Sequence, residues 1–197
     1  MEVVIPYLIS VLLLLFAAFV VFRIIVRRDY RERGRLRPFT GFLELLVWLV
    51  FVSVPSIYNP PDWWSPWTAE VPVSTVVGIV GLALTTAGIV VVAVAMAGLG
   101  MSKTFGQKSE GLLQVGLYRA CRNPQIVGGA LMVVGVGLLW PSWFALGWVV
   151  LYGCIGHMMV MTEEEHLRRV HGEAYAAYCE RVPRYVGFLS RTRKAVA

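Results

Sequence analysis

Residues 3–26 read VVIPYLISVLLLLFAAFVVFRIIV, and this stretch decides the fold class. It contains one charged side chain, Arg23, close to its end, where a long arginine can extend its guanidinium to the membrane surface. The run exceeds the roughly 20 apolar residues with which a helix crosses the hydrocarbon core of a bilayer. A signal peptide would begin with basic residues and end at a cleavage site of small residues, whereas a basic block follows this run. We therefore expect a membrane-spanning helix that is retained in the protein.

Four more apolar runs follow, at about residues 40–57, 71–101, 126–140 and 143–161. Apolar residues make up 57% of the 197-residue chain and charged residues 15%, whereas a soluble domain is about half apolar and a quarter charged. Only Pro141 and Ser142 separate the last two runs, which predicts a tight helical hairpin. We predict one all-α domain over residues 1–197, a polytopic membrane helical bundle of about five transmembrane helices with a cytoplasmic C-terminal helical cap in residues 162–197.

The basic residues predict the orientation in the membrane. All 18 lysines and arginines fall in residues 23–37, 103–122 and 168–194. Five spans place these three segments on one side, and by the positive-inside rule that side is cytoplasmic. We therefore expect an integral protein of the cell inner or plasma membrane, with its N-terminus outside and its C-terminus in the cytoplasm. Trp63, Trp64 and Trp67 are typical of an aromatic belt at the outer face.

The net charge of +6 indicates membrane lipids rather than nucleic acid as partners, because the charge is spread over one membrane face. Its densest stretch, Arg27-Arg28-Asp29-Tyr30-Arg31-Glu32-Arg33, is typical of a topology determinant. The three cysteines, Cys121, Cys154 and Cys179, have neither a C-x-x-C nor a Cys/His metal spacing, so we expect no metal site.

The first candidate site is Arg122-Asn123-Pro124, at the start of the fourth run. Pro124 fits the first turn of a helix, where its missing N–H is not needed, and Asn123 would then stand at the N-cap. The positive end of the helix suits a carboxylate, and Arg122 adds a fork of donors for the same group. The alternative is that Arg122 is one more topology charge and Asn123 only a cap.

The second candidate site is Thr162-Glu163-Glu164-Glu165, directly after the fifth run. The segment that follows has helical periodicity, and residues at spacings of three and four form one stripe: Glu164, Leu167, His171, Tyr175, Tyr178 and Val182. This stripe is either a docking face against the membrane domain or one wall of a pocket for a ligand with an amine and aromatic rings. Carboxylates at its mouth suit a cation such as an α-amino group or a sulfonium.

Two ionisable residues lie within the apolar runs. Glu44 is an intramembrane carboxylate, which by default suggests function, although it lies about one turn inside its span and can reach the cytoplasmic interface. His157 is more typical of a hydrogen-bonded packing residue. Gly135 and Gly137 in the fourth run would permit a close helix–helix contact.

Two motifs resemble the membrane methyltransferases related to isoprenylcysteine carboxyl methyltransferase and phospholipid methyltransferases. The first motif reads Gly116-x-Tyr118-x-x-x-Arg122-Asn123-Pro124-x-x-x-Gly128. The second comprises Glu163-Glu164, His171-Gly172, Tyr175, Tyr178 and Val182-Pro183-Arg184. Asn123, Gln125 and His171 stand where the family usually has His, Tyr and Phe. The resemblance covers about residues 98–185, and its specificity comes from two motifs in the right order, joined by a two-helix hairpin.

The resemblance implies a helical bundle whose cytoplasmic cap encloses S-adenosylmethionine, without a metal. It places Tyr118, Arg122 and Asn123 at the methionine part of the cofactor, and Glu163 and Glu164 at its amino or ribose groups. Tyr175 and Tyr178 would wall the pocket, and Arg184 would lie nearby. Of these, the residues expected at the reacting groups are Arg122, Asn123 and Arg184.

The acceptor implied by the resemblance is a small or lipid-borne molecule that enters from the membrane and is methylated on a carboxylate, an amine or a thiol. A second interpretation is an NADPH-dependent sterol reductase of the same superfamily, whose tail shares the pattern of Tyr178-Cys179 and Val182-Pro183. A third is a non-enzymatic membrane scaffold with the same fold.

Overall fold

The computed structural model describes residues 4–58, 72–99 and 116–186. The predicted aromatic belt at Trp63, Trp64 and Trp67 lies outside these ranges, as do the loop residues 100–115 and the tail from residue 187 onward. The described part is helical and confirms the all-α fold. Its five long elements are α1 (Val4–Arg33), α2 (Pro38–Tyr58), α3 (Thr75–Leu99), α4 (Pro124–Leu139) and α5 (Trp143–Arg181), and a 3₁₀ turn, Gly116–Arg119, precedes α4.

The described helices form a membrane bundle. Four of them, α1, α2, α3 and α5, are long and apolar enough to cross a bilayer, with mean hydropathies between 1.7 and 2.9. The remaining helix, α4, is apolar but has only 16 residues. By contrast, α5 has 39 residues, and its part before Gly172, residues 143–171, is about 44 Å long at the usual helical rise, which exceeds a hydrocarbon core of about 30 Å.

The direction of the helices follows from contacts at their two ends. The Tyr7 hydroxyl near the start of α1 donates to the carbonyl of Phe144 near the start of α5 (2.9 Å). Arg23, toward the other end of α1, pairs with Glu165 of α5 at 2.8 Å, so α1 and α5 run parallel. In the core between them, the Trp148 indole of α5 stacks on Phe51 of α2 with centroids 5.0 Å apart.

The first helix is not regular. It is α-helical over Val4–Ala18 and Arg27–Arg33, with a π-helical segment, Phe19–Val26, between them. The wider π turn changes the backbone hydrogen-bond pattern, and here the carbonyl of Phe22 accepts from the Thr162 hydroxyl of α5 at 3.0 Å. The apolar run alone predicted a span that ends at Val26, whereas the helix continues through the basic block to Arg33.

Helices α3 and α4 pack closely against each other at glycines. A Cβ added to Gly88 would lie 2.5 Å from the carbonyl oxygen of Gly128, and one added to Gly81 would lie 2.9 Å from that of Gly135. Such backbone approach is the usual device for packing helices in lipid, where apolar burial gives no net driving force. Gly135, which the sequence indicated as a helix-contact residue, therefore makes its contact within the chain.

Beyond the membrane, α5 bends at Gly172, whose φ of +47° and ψ of −120° are not helical. The bend separates the first acidic turn of the extension from the segment that contains Tyr175 and Tyr178. After Arg181 the chain returns toward the start of α4, and the backbone N–H of Arg122 donates to the carbonyl of Pro183 at 3.0 Å. This return brings the two sequence motifs together.

Candidate functional site

Glu164 stands at the centre of the site. It is 3% exposed, and its carboxylate accepts two hydrogen bonds from Arg184, from Nε at 3.0 Å and from a terminal nitrogen at 2.8 Å. A terminal nitrogen of Arg122 lies 3.1 Å from the same carboxylate. A carboxylate shared between two arginine forks is a charge-assisted arrangement that fixes all three side chains.

Backbone contacts fasten the Arg122 segment to the Arg184 segment. The Asn123 side-chain amide donates to the Arg184 carbonyl at 3.0 Å, and the Cys121 thiol lies 3.6 Å from the same oxygen. Asn123 does stand at the N-cap position before Pro124, as predicted, but its side chain makes no capping hydrogen bond. Through its hydrogen bond to Arg184, the amide instead holds the C-terminal helical cap against the start of α4.

The tyrosines of the predicted stripe pack beneath this cluster. Tyr175 and Tyr178 are buried with Val182, with Leu167 packed against them, so these members of the stripe share one face. The Tyr178 hydroxyl donates to the carbonyl of Tyr118 at 2.6 Å, which ties the cap to the 3₁₀ turn. Burial and then the negative charge of Glu163 raise the pKa of Tyr118 above its usual value, so this phenol stays protonated at neutral pH.

The three successive acids point in different directions because helical residues are about 100° apart. Glu164 faces Arg122 and Arg184, and Glu163 lies near the Tyr118 phenol. Glu165 faces the opposite way, toward α1, where Arg23 approaches it at 2.8 Å and Arg27 at 2.6 Å. The sequence predicted roles for the first two acids, while the pairing of the third with α1 was not foreseen.

Two buried donors in the site lack a hydrogen-bond partner in the part of the chain that the structure describes: Nε of Arg122 and the side-chain nitrogen of Gln125. An unsatisfied buried donor costs about 1–3 kcal/mol, so such groups indicate a ligand or water. A carboxylate or a ring nitrogen supplies the acceptors that both need. The sequence did not predict Gln125 as a site residue. The signal that could have identified it is its position as a polar side chain in the first turn of the apolar helix α4.

The model of the phospholipid methyltransferase family matches residues 76–174, half of the chain. The chain belongs to the phospholipid methyltransferase family. No curated protein and no solved structure matches it. Membership identifies methyl transfer to membrane-bound acceptors as the family's chemistry, and with the apolar helices it makes this chain an integral membrane protein.

The residues matched by the phospholipid methyltransferase family model include only part of the candidate site. They include α3, α4, Arg122, Asn123 and Glu164, and they end before Tyr175 and Arg184. The cap residues therefore join the site through their contacts: Arg184 through Glu164, and Tyr178 through Tyr118.

The two ionisable residues of the apolar runs differ in their surroundings. His157 of α5 lies with Nδ1 3.0 Å from the hydroxyl of Tyr185, next to Arg184 in the chain, so it holds the returning segment, in keeping with the packing role predicted for it. Glu44 of α2 is half-buried. Within the described ranges, no three His, Cys, Asp or Glu side chains are grouped to hold a metal ion.

Proposed function

We propose that this protein transfers a methyl group from S-adenosylmethionine to a lipid-borne acceptor at the cytoplasmic face of the membrane. The observation that carries the proposal is the pair of unsatisfied buried donors, Arg122 Nε and the Gln125 side-chain nitrogen, of which Arg122 also contacts the carboxylate that Arg184 binds. They suit the carboxylate of an amino-acid moiety, and the family's chemistry is methyl transfer.

In this proposal Arg122, with Gln125, holds the carboxylate of the cofactor's methionine part. Tyr118 and Asn123 contact the same part, and Asn123 also keeps Arg184 in place through the Arg184 carbonyl. Glu163 receives the amino group or the ribose. Glu164 contributes chiefly by orienting Arg122, because its oxygens already accept from Arg184. Tyr175 and Tyr178 form the wall behind them.

S-adenosylmethionine supplies a methyl group on a positively charged sulfur. The protein's task is then to align an attacking atom with that methyl group and to exclude water, which is the kind of catalysis that positioning alone supplies. The ion pairs of Glu164 fix Arg122 and Arg184 before any ligand arrives, so little side-chain entropy is lost on binding. An acceptor carboxylate, amine or thiol is compatible with this arrangement.

The short fourth helix supports a lipid-borne acceptor. Sixteen residues span about 24 Å, less than a hydrocarbon core of about 30 Å. The segment that contains Arg122 and Asn123 at its start therefore lies near the membrane boundary and not out in solution. The basic ends of α1 and the cap residues share this side, which by the positive-inside rule is cytoplasmic, with the N-terminus outside.

The first test is calorimetric titration of S-adenosylhomocysteine into the detergent-purified protein, with NADPH as the control ligand. We expect micromolar binding of the first and none of the second, whereas binding of NADPH alone would replace the proposal with a reductase. Arg122→Gln should weaken binding about tenfold or more, because it removes a charged donor pair. Arg119→Gln makes the same charge change on an exposed neighbour and should leave binding unchanged.

The second test follows a labelled methyl group from S-adenosylmethionine into lipids of reconstituted vesicles. Transfer into the lipid fraction identifies the acceptor as lipid-borne, and the stability of the label to mild base separates a methyl ester from a methylated amine or thiol. Binding of the cofactor product without transfer to any lipid fraction would refute the lipid-borne acceptor.

A further inference from the structure

The cytoplasmic end of α1 contains a groove that the methyl-transfer site does not use. The groove has a volume of about 390 Å³, within the range of about 300–1,000 Å³ that is usual for small-molecule sites. The residues that line it are Arg23, Ile24, Arg27, Arg28, Arg31 and Glu32. Four of these six are arginines, so the groove is a concentrated site of positive charge.

Three of the four arginines are paired with carboxylates. Glu165 of α5 accepts from Arg23 at 2.8 Å and from Arg27 Nε at 2.6 Å, and Glu32 accepts from Arg28 Nε at 2.7 Å. Arg27 and Arg28 both use Nε in these pairs, so the terminal amino groups of each fork lie outside the ion pair. With four arginines and two carboxylates, the groove keeps a net positive charge, and Arg27 and Arg28 present donors that their ion pairs orient.

The groove is also amphipathic along the helix axis. Ile24, Arg28 and Arg31 follow one another at spacings of four and three, so they form one stripe. Ile24 is 51% exposed at the membrane end of that stripe, and Arg31 is exposed at the aqueous end. A ligand that fits this stripe has an apolar chain beside Ile24 and an anion about one to two turns further out.

We propose that this groove binds the phosphate of an anionic membrane phospholipid, with the acyl chain along Ile24 and the phosphate between Arg28 and Arg31. Guanidinium forks match phosphate oxygens in pairs, and the cytoplasmic leaflet supplies such lipids at high local concentration. The proposal is independent of methyl transfer, because the groove residues are separate from those assigned to the cofactor.

The test uses two double variants with the same charge change. Arg28→Gln with Arg31→Gln removes two arginines of the groove, and Arg33→Gln with Arg35→Gln removes two exposed arginines next to it in the chain. The protein is released from mixed micelles of phosphatidylglycerol and phosphatidylcholine, and the lipids retained are counted by native mass spectrometry. Far-ultraviolet circular dichroism monitors folding without reference to any activity.

We expect the native protein to retain phosphatidylglycerol in preference to phosphatidylcholine, and the groove variant to lose that preference on the order of tenfold relative to the neighbouring variant. Equal losses in the two variants would overturn the proposal, since general surface charge would explain both. If the groove variant does not fold, Arg28→Lys with Arg31→Lys replaces it: a several-fold loss supports recognition by forks, and full retention overturns it.

A further experiment distinguishes binding of an anionic lipid from binding of a soluble anion. Inorganic phosphate is added to protein in phosphatidylcholine micelles that contain no anionic lipid. We expect the protein to retain no phosphate at millimolar phosphate concentrations. Retention of inorganic phosphate, lost in the groove variant, would assign the groove to a soluble phosphate and overturn the lipid assignment.

Discussion

Arg184 holds Glu164 through two parallel hydrogen bonds, of 3.0 and 2.8 Å, across twenty residues and the bend at Gly172. The pair joins the last described turn of the chain to the acidic turn at the membrane boundary. Arg122 lies on the same carboxylate at 3.1 Å, so one buried acid organises both basic residues proposed at the cofactor. The cap therefore contributes a residue, Arg184, to the ion pairs of the site.

Glu164→Gln should therefore weaken both the fold of the cap and the binding of S-adenosylhomocysteine. The change leaves Arg122 and Arg184 without their shared counter-charge, and breaking a buried pair costs about 3–5 kcal/mol, with a smaller value expected here because Arg184 is partly exposed. Thermal unfolding in detergent and calorimetry measure the two effects. Glu173→Gln, on an exposed position of the same extension, is the control, and equal behaviour of the two variants would contradict the role of Glu164.

Gly172→Ala should loosen the cap through the backbone alone. Gly172 has a φ of +47°, and a Cβ added there meets no atom within 4 Å, so any effect comes from conformational strain of about 1–3 kcal/mol. We expect faster limited proteolysis after residue 172 and weaker binding of S-adenosylhomocysteine. Gly153→Ala, which also meets no atom within 4 Å but has no positive φ, should be neutral. An unchanged proteolysis rate would show that the bend is not needed for cap closure.

The sequence predicted the helices well because a span in lipid must be a long apolar run, whatever its neighbours are. It also predicted that Arg122 and Glu164 belong to one site, since both lie in recognisable motifs. It did not predict that Glu165 pairs with Arg23, a contact across 142 residues, because nothing in either segment specifies the other. The π-helical segment of α1 was not predicted for the same reason. The group that donates to its Phe22 carbonyl is the hydroxyl of Thr162, in the distant helix α5.

Gln125 shows a different limit of sequence reasoning. The family usually has a tyrosine at this position, and the sequence does not indicate what an amide there contacts. In the fold, the side-chain nitrogen of Gln125 is buried without a hydrogen-bond partner among the described residues. Gln125→Leu should therefore leave the fold intact and weaken binding of S-adenosylhomocysteine, by about the net contribution of one hydrogen bond, 0.5–1.5 kcal/mol. Calorimetry at matched protein stability measures this, and unchanged affinity would remove Gln125 from the site.

The pH dependence of the alkylation rate of Cys121 tests how close its thiol lies to Arg122. Burial raises the pKa of Cys121, while the hydrogen bond from the Asn123 backbone N–H and then the positive charge of Arg122 lower it in part. Because only the thiolate reacts with iodoacetamide, we expect its half-maximal alkylation rate above the usual cysteine pKa of about 8.5. Arg122→Gln should move that midpoint to still higher pH, and Arg119→Gln less. The midpoint is read by peptide mass spectrometry, and a shift of the Arg122→Gln midpoint to lower pH would contradict the placement of the two side chains.

The glycine contact between α3 and α4 leads to the final prediction, Gly88→Ala. A methyl group at Gly88 would lie 2.5 Å from the Gly128 carbonyl and 2.6 Å from the Met132 nitrogen, and backbone atoms cannot yield as a flexible side chain can. The two helices must separate, at a cost of about 1–3 kcal/mol. Separation also displaces the start of α4, so binding of S-adenosylhomocysteine should fall with stability. Gly98→Ala on the same helix meets no atom within 4 Å and is the matched control. Thermal unfolding of the two variants in one detergent compares them directly, and if Gly88→Ala were as stable as Gly98→Ala, α3 and α4 could not pack through their glycines in the membrane.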